Sequence, residues 1–273
     1  RASASSPRAT LDASATSDWD GGAGFAPLGP DWFTGIFDGL GHTISGLTIN
    51  RPGSSNLGLF GLMRGGTISN IGLLGGSVVG ASFVGGLVGY NNVGTITWVY
   101  NTGTVSGSSE QVGGLVGNNE GTISQSYATG AVSAPTRVGG LVGLNVGLIS
   151  QAYATGAVNG AGYAGGGLVG TNAGTINQSY ATGAVSGTQY VGGLAGTSYG
   201  TITSSYWATD TSGQATSAGG SGKTLAGLIA AMPAGFDTTF WGNQGNQTTP
   251  YLLGNAGQVF VAGGGSTLYT PVF

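Results

Sequence analysis

Val112-Gly-Gly-Leu-Val-Gly-Asn-Asn-Glu-Gly-Thr-Ile-Ser-Gln-Ser-Tyr-Ala-Thr-Gly-Ala-Val-Ser-Ala134 is one unit of a repeat. Its Val, Ile, Thr and Tyr residues alternate with small or polar ones, as Ile123, Gln125 and Tyr127 do, which suits extended, half-buried backbone. Outward from this unit the same marker recurs. Gly-Gly-Leu-Val-Gly begins at Gly85, Gly113, Gly139 and Gly166, and Gly-Gly-Leu-Ala-Gly at Gly192, in steps of 28, 26, 27 and 26 residues. A second marker, Thr-Ile or Leu-Ile, holds the same register from Thr67 to Thr201. A third is a column of tyrosines, Tyr100, Tyr127, Tyr153, Tyr180 and Tyr206. Three markers on one period identify a solenoid built from identical units.

Composition narrows the class. The chain holds 59 Gly among 273 residues, 15 charged side chains, one His and no Cys. The glycines lack the every-third spacing of collagen. A hydrophobic fraction of 40% with a net charge of −3 is opposite to a disordered composition. Six scattered cations cannot form a phosphate-tracking face, so nucleic acid is not an expected partner. No apolar run approaches the ~20 residues of a membrane-spanning helix. The chain opens on Arg1 without a basic segment and apolar run behind it, which reads as a mature or excised piece.

The expected fold is all-β: a parallel β-helix with about 26 residues per rung, each rung holding about three short strands. Rungs stack at ~4.8 Å, right-handed by the general preference of parallel crossovers. Asn92, Asn119, Asn145 and Asn172, each two residues before a Gly, read as a turn column whose side chains ladder between rungs. Gly94, Gly121, Gly147 and Gly174 are expected to supply positive φ in those turns. The Tyr column reads as packed stacks. Residues 42–207 form the solenoid, 1–41 an N-terminal cap and 208–273 a C-terminal cap. In the last, Gly213–Gly222 reads as a linker, and residues 224–232 as a short helix with Thr224 as its N-cap. Trp19, Trp32, Phe33, Phe37, Phe240 and Trp241 read as aromatic covers or interfaces at the two ends. Asp at Leu141 and Val142 is expected to unfold the coil, whereas replacing Gln125 or Gln151 should matter little.

The Gly-Gly-Leu-Val-Gly units resemble the GLUG motif. Phe33-Thr-Gly-Ile-Phe-Asp-Gly-Leu-Gly-His-Thr-Ile44 and the stretch from Phe236 to Leu253 resemble the segments flanking such repeats in filamentous haemagglutinin-like proteins. The resemblance spans most of residues 33–253. It implies a bacterial surface or secreted adhesin, of the kind exported by two-partner secretion, with a β-helical shaft.

Catalysis is not expected. Between Val84 and Tyr206 the charged residues are Glu110, Glu120 and Arg137, and nothing places the two carboxylates as an acid/base pair. His42 reads as a turn residue. Gly196-Thr-Ser198-Tyr-Gly200 lacks the strand–turn–helix setting of a nucleophile elbow. Asp18-Trp-Asp20 lacks the further acidic ligands of a calcium loop. No metal or cofactor is expected. The function expected is a structural or adhesive shaft module of a secreted or cell-surface protein. Two alternatives stand beside it: a filament subunit joined end to end by strand addition, and a carbohydrate-binding module using exposed aromatics. The partners expected are other copies, neighbouring modules, or a host or matrix glycan.

Overall fold

Each marker of the repeat lies beside its own copy one turn away. The computed structural model describes residues 9–29 and 31–254, so parts of both end segments, 1–8 and 255–273, lie outside the described residues. The chain winds as a β-solenoid of about six turns with about 27 residues per turn. Three parallel sheets form its faces. The first runs through Thr67–Leu74, Thr95–Asn101, Thr122–Ala128 and Leu148–Ala154. The second runs through Ser77–Gly80, Thr104–Gly107, Val132–Gly139, Val158–Gly166 and Val185–Gly192. The third runs from Phe60–Arg64 through Val116–Asn119 to Ala195–Ser198. Registers are homologous: Ile96 pairs with Ile68 and Ile123, and Ile149 with Ile176.

Inside the coil these registers become columns. Ile68, Ile96, Ile123, Ile149 and Ile176 stack in one, Leu87, Leu115, Leu141, Leu168 and Leu194 in another, all fully buried. Burying each such side chain contributes roughly 1.5–3 kcal/mol. Leu141 and Val142 both have no exposed surface, so Asp at either position would bury a charge.

Two features of the backbone differ from the expected turn chemistry. Gly94, Gly121, Gly147 and Gly174 are absent from the residues with positive φ. Glycine is required there by close approach: a Cβ on Gly147 would overlap the carbonyl oxygen of Gly121 one turn below, and one on Gly174 that of Gly147. Positive φ is carried instead by non-glycine corners. One column is Asn70, Trp98, Gln125, Gln151, Gln178 and Ser204, with φ between 42° and 55°. A second is Phe83, Gln111, Arg137, Ala164 and Tyr190. Such residues persist only where surrounding structure over-determines them, and here strands on both sides of each corner are held in the ladder. Gln125 and Gln151 are therefore not idle. The Gln125 amide donates to Gln151 Oε1 at 2.7 Å, and Thr97 Oγ1 donates to Gln125 Oε1 at 2.9 Å.

The ladder extends into both proposed caps. Thr10–Asp12 pairs beneath Thr43–Ser45, and Ile36–Asp38 pairs with Thr67–Ser69, so pairing begins well before His42. Single bridges of Gly24 with Ile49, Leu28 with Phe60 and Phe33 with Met63 set these three residues against the first complete turn. At the other end, Gly213–Gly222 is a lid, not a linker. Trp207 Nε1 donates to Gln214 O, Gln214 Nε2 donates to Val185 O, and Ser217 Oγ accepts from the Leu194 and Ala195 amides. Gly213, Gly219 and Gly220 take the positive φ that its sharp path demands. Ser221–Lys223 then pairs with Tyr206–Ala208 as the last strand of the first sheet. A helix follows over Leu225–Ala230, with the Thr224 hydroxyl accepting from Gly227 N at 3.0 Å.

Candidate functional site

Two repeated polar or aromatic columns are candidates for function, and the geometry shows what each does. The asparagine column consists of Asn91, Asn119, Asn145 and Asn172. Asn92 is not a member: Asn91 is the residue in register with Asn119. That turn is longer by one residue, Val93, at φ 51°, so counting back from Gly94 lands one position late. Each ladder amide donates to the Oδ1 of the next at 2.8 Å, and the last donates to Ser198 Oγ at 3.2 Å. All four Asn side chains are fully buried and bond their own turn backbone as well. Displaced from the ladder, Asn92 donates to Glu120 Oε2 and Tyr90 Oη, both at 3.1 Å.

The tyrosine column lies on the outside of the first face, where it is sealed rather than open to a ligand. Tyr100, Tyr127, Tyr153 and Tyr180 stack with centroids 4.7–5.1 Å apart and planes within 9° of parallel. Tyr100 rests on Gly72, where a side chain would collide with its ring. Residues 225–252 fold back along this flank, so Leu228, Phe236, Trp241 and Leu252 join the tyrosines in a second apolar core. Trp241 is 1% exposed and its ring packs on Tyr153, Tyr180 and Phe236. Trp241 and its half-buried neighbour Phe240 thus cover a side of the coil, not its end. Burial pushes the hydroxyls of Tyr127, Tyr153 and Tyr180 well above the ordinary tyrosine pKa. Tyr180 Oη donates to Pro250 O at 2.7 Å and Tyr206 Oη to Ala234 O at 2.8 Å, whereas Tyr153 Oη has no partner among the described residues.

The remaining predicted end aromatics divide by depth. Phe33 and Phe37 pack on Phe60, with centroids 4.8 and 5.3 Å away, against the interior. Trp19 and Trp32 stay largely exposed, Trp32 lying edge-on to Tyr90 at 5.9 Å with the Arg64 guanidinium over its ring. The side chains considered for chemistry are dispersed. Arg137 pairs with Glu110 at 2.9 Å and Arg51 with Asp20 at 2.8 Å, both at the surface. Ser198 belongs to the ladder turn, and His42 Nδ1 lies 3.2 Å from Ala9 O. No group of three metal-ligating side chains occurs among the described residues. One cluster escaped the repeat reading: Tyr163 and Tyr190, whose rings lie 4.7 Å apart, together with Tyr199. Desolvation first, then neighbouring Tyr199, raises the Tyr163 pKa. The three share no column, Tyr190 alone belonging to the second row of left-handed corners, so their meeting had no signal in the spacing.

With the turn geometry in hand, the matches to known proteins align with it. Residues 108–133 and 134–159 match the family model of the GLUG motif, one match per turn of coil. The chain contains a GLUG repeat region. Over 117 residues it is 46% identical to halomucin of Haloquadratum walsbyi (strain DSM 16790 / HBSQ001), covering 40% of this chain. The chain spans about 1% of the length of that curated relative. Among solved structures, a candidate immunoglobulin A1 protease from Bacteroides ovatus superposes with a TM-score of 0.67, covering 89% of this chain and 84% of its own. At 24% identity that likeness extends the GLUG coil to a shared fold and no further.

Proposed function

We propose that this chain is a structural module of a secreted or cell-surface protein, one segment of an extended β-solenoid shaft that itself performs no catalysis. One observation carries the reading: the repeated columns are taken up by packing. Isoleucine and leucine fill the interior, asparagine ladders the turn, and tyrosine is stacked beneath residues 225–252. The GLUG repeats and the kinship to part of a very long protein support a modular role. About six turns at ~4.8 Å make roughly 30 Å of coil, which is a segment of a shaft more than a shaft. The adhesin class belongs to this proposal. Antibody raised against the chain is expected to label unpermeabilised source cells or their culture medium; label confined to the cell interior would contradict the reading. Incubation with immunoglobulin A1 is expected to leave its heavy chain intact, and cleavage would establish the competing proteolytic reading.

A second reading rests on Tyr190 and Tyr199, 58% and 78% exposed. Sugar rings stack on aromatic faces, and exposed tyrosines offer hydroxyls as well. Binding on a glycan array that disappears in Tyr190→Ala would favour it; an array unchanged by that substitution would remove it.

A further inference from the structure

Among the described residues the first sheet is open at both ends, and the two open strands match. Thr10–Asp12 and Ser221–Lys223 are the terminal members of its strand order, each paired on one side only among the described residues. Both lie parallel to the ladder between them. They also occupy the same column. Register runs from Thr10 through Thr43, Gly72, Tyr100, Tyr127, Tyr153, Tyr180 and Tyr206 to Ser221. Two residues along each strand, Asp12 stands at the N-terminal edge and Lys223 at the C-terminal edge. Asp12 is exposed and accepts from Ser14 N at 2.9 Å, and half-buried Lys223, whose ammonium lies 5.5 Å over the Tyr206 ring, forms no ion pair among the described residues. Between Thr10 and Asp12, Leu11 is 64% exposed in the column whose next members, Ile44 and Leu73, face the core. The position that would oppose it is Gly222, which has no side chain to obstruct it. Beside Leu11 an apolar hollow of about 410 Å³, lined by Phe37, Ile44 and Ile71 among others, opens at the same edge, and Ile36 and Leu40 are 82% and 73% exposed.

We propose that a second copy of this chain docks here head to tail, its Ser221–Lys223 strand pairing with Thr10–Asp12 and its Lys223 ammonium meeting the Asp12 carboxylate. The proposal rests on the shaft reading above and specifies how its segments join. An open edge strand is a template for a further strand. Parallel addition in register extends the first sheet at the spacing of one rung. Because the two surfaces differ, the contact is heterologous, and stacking copies along the coil by one rung leaves a free edge at each end that propagates as a filament.

Sedimentation velocity over a concentration series tests this on the full chain. Wild type is expected to form a ladder of end-to-end oligomers. Asp12→Lys and Lys223→Asp each place like charges at the joint, and each should lower the apparent association constant about tenfold. An equimolar mixture of the two variants restores opposite charges at every joint and should recover association. Wild type that stays monomeric at all concentrations overturns the proposal, as does association that neither variant weakens. The frictional ratio and melting transition of the monomer report separately on the coil, so wild type that stays monomeric while its coil is intact refutes the joint without touching the shaft segment.

Discussion

At the scale of single residues, the tyrosine stack separates burial from hydrogen bonding. Tyr153 and Tyr180 are both 1% exposed, but Tyr180 has Pro250 O as partner and Tyr153 has none among the described residues. A buried hydroxyl without a partner costs about 1–3 kcal/mol, and removing one member of a made bond exposes a comparable penalty. Tyr153→Phe is therefore expected to leave stability unchanged or raise it by about 1 kcal/mol, while Tyr180→Phe lowers it by about 1–3 kcal/mol. Denaturant titration of the two variants decides; equal losses would mean that the two hydroxyls have equivalent surroundings. Ser204 offers a backbone counterpart. It is exposed, with φ 42°, and the left-handed region costs a non-glycine residue roughly 1–2 kcal/mol. Ser204→Gly should stabilise by about 0.5–1 kcal/mol after the added chain entropy of glycine, as read from the urea midpoint.

At the scale of elements, the flank cover is the part least legible in the sequence. The repeat columns were readable because a parallel in-register ladder brings residue i to residue i+27 or so, which makes the spacing itself a contact map. Ile123 beside Ile149 and Tyr127 beside Tyr153 follow directly from it. Residues 225–252 carry no period. Their aromatics signalled that something apolar is covered, but not which surface. What decides the surface is the tyrosine stack, an apolar wall left outside the coil that only a returning segment can bury. The asparagine column shows the limit of counting in a different way, since one inserted residue, Val93, moved the ladder member from Asn92 to Asn91. The surface trio of half-buried Tyr163 with exposed Tyr190 and Tyr199 combines residues from separate strands and turns that share no column. Trp241→Ala should cost about 3–5 kcal/mol and raise the protease sensitivity of the flank before that of the coil. A melting temperature that does not move would show that the flank does not hold the stack.

Across the whole molecule, the stability profile with pH follows from how few charges the coil contains. The groups with large upward shifts are Tyr127, Tyr153 and Tyr180, all raised by burial. Their folded pKa lies above the unfolded value of about 10, so the unfolded state loses their protons first. The stabilisation they contribute is fully present below that pH and is lost as pH rises toward the folded values. Melting temperature is expected to be level through neutral pH and to fall above about pH 10, with tyrosinate absorbance appearing only on unfolding. Tyrosinate absorbance that develops while the fold is still intact would place the stack in contact with solvent.

The claim on which the rest depends is that one repeat is one turn, laid in register on the next. The chain has no cysteine, so an introduced pair reports without interference. Ser124 lies directly across from Ser150 on the neighbouring turn. Disulfides form at Cα separations of about 4.4–6.8 Å, close to the rung spacing of ~4.8 Å, and a two-residue offset along the strand exceeds that reach. The measurement is oxidative closure of the Ser124→Cys/Ser150→Cys pair beside that of Ser124→Cys/Ala152→Cys, followed by non-reducing mass spectrometry. Closure of the first pair and not the second is the predicted result. Preferential closure of the offset pair would contradict the register, and with it the assignment of every column.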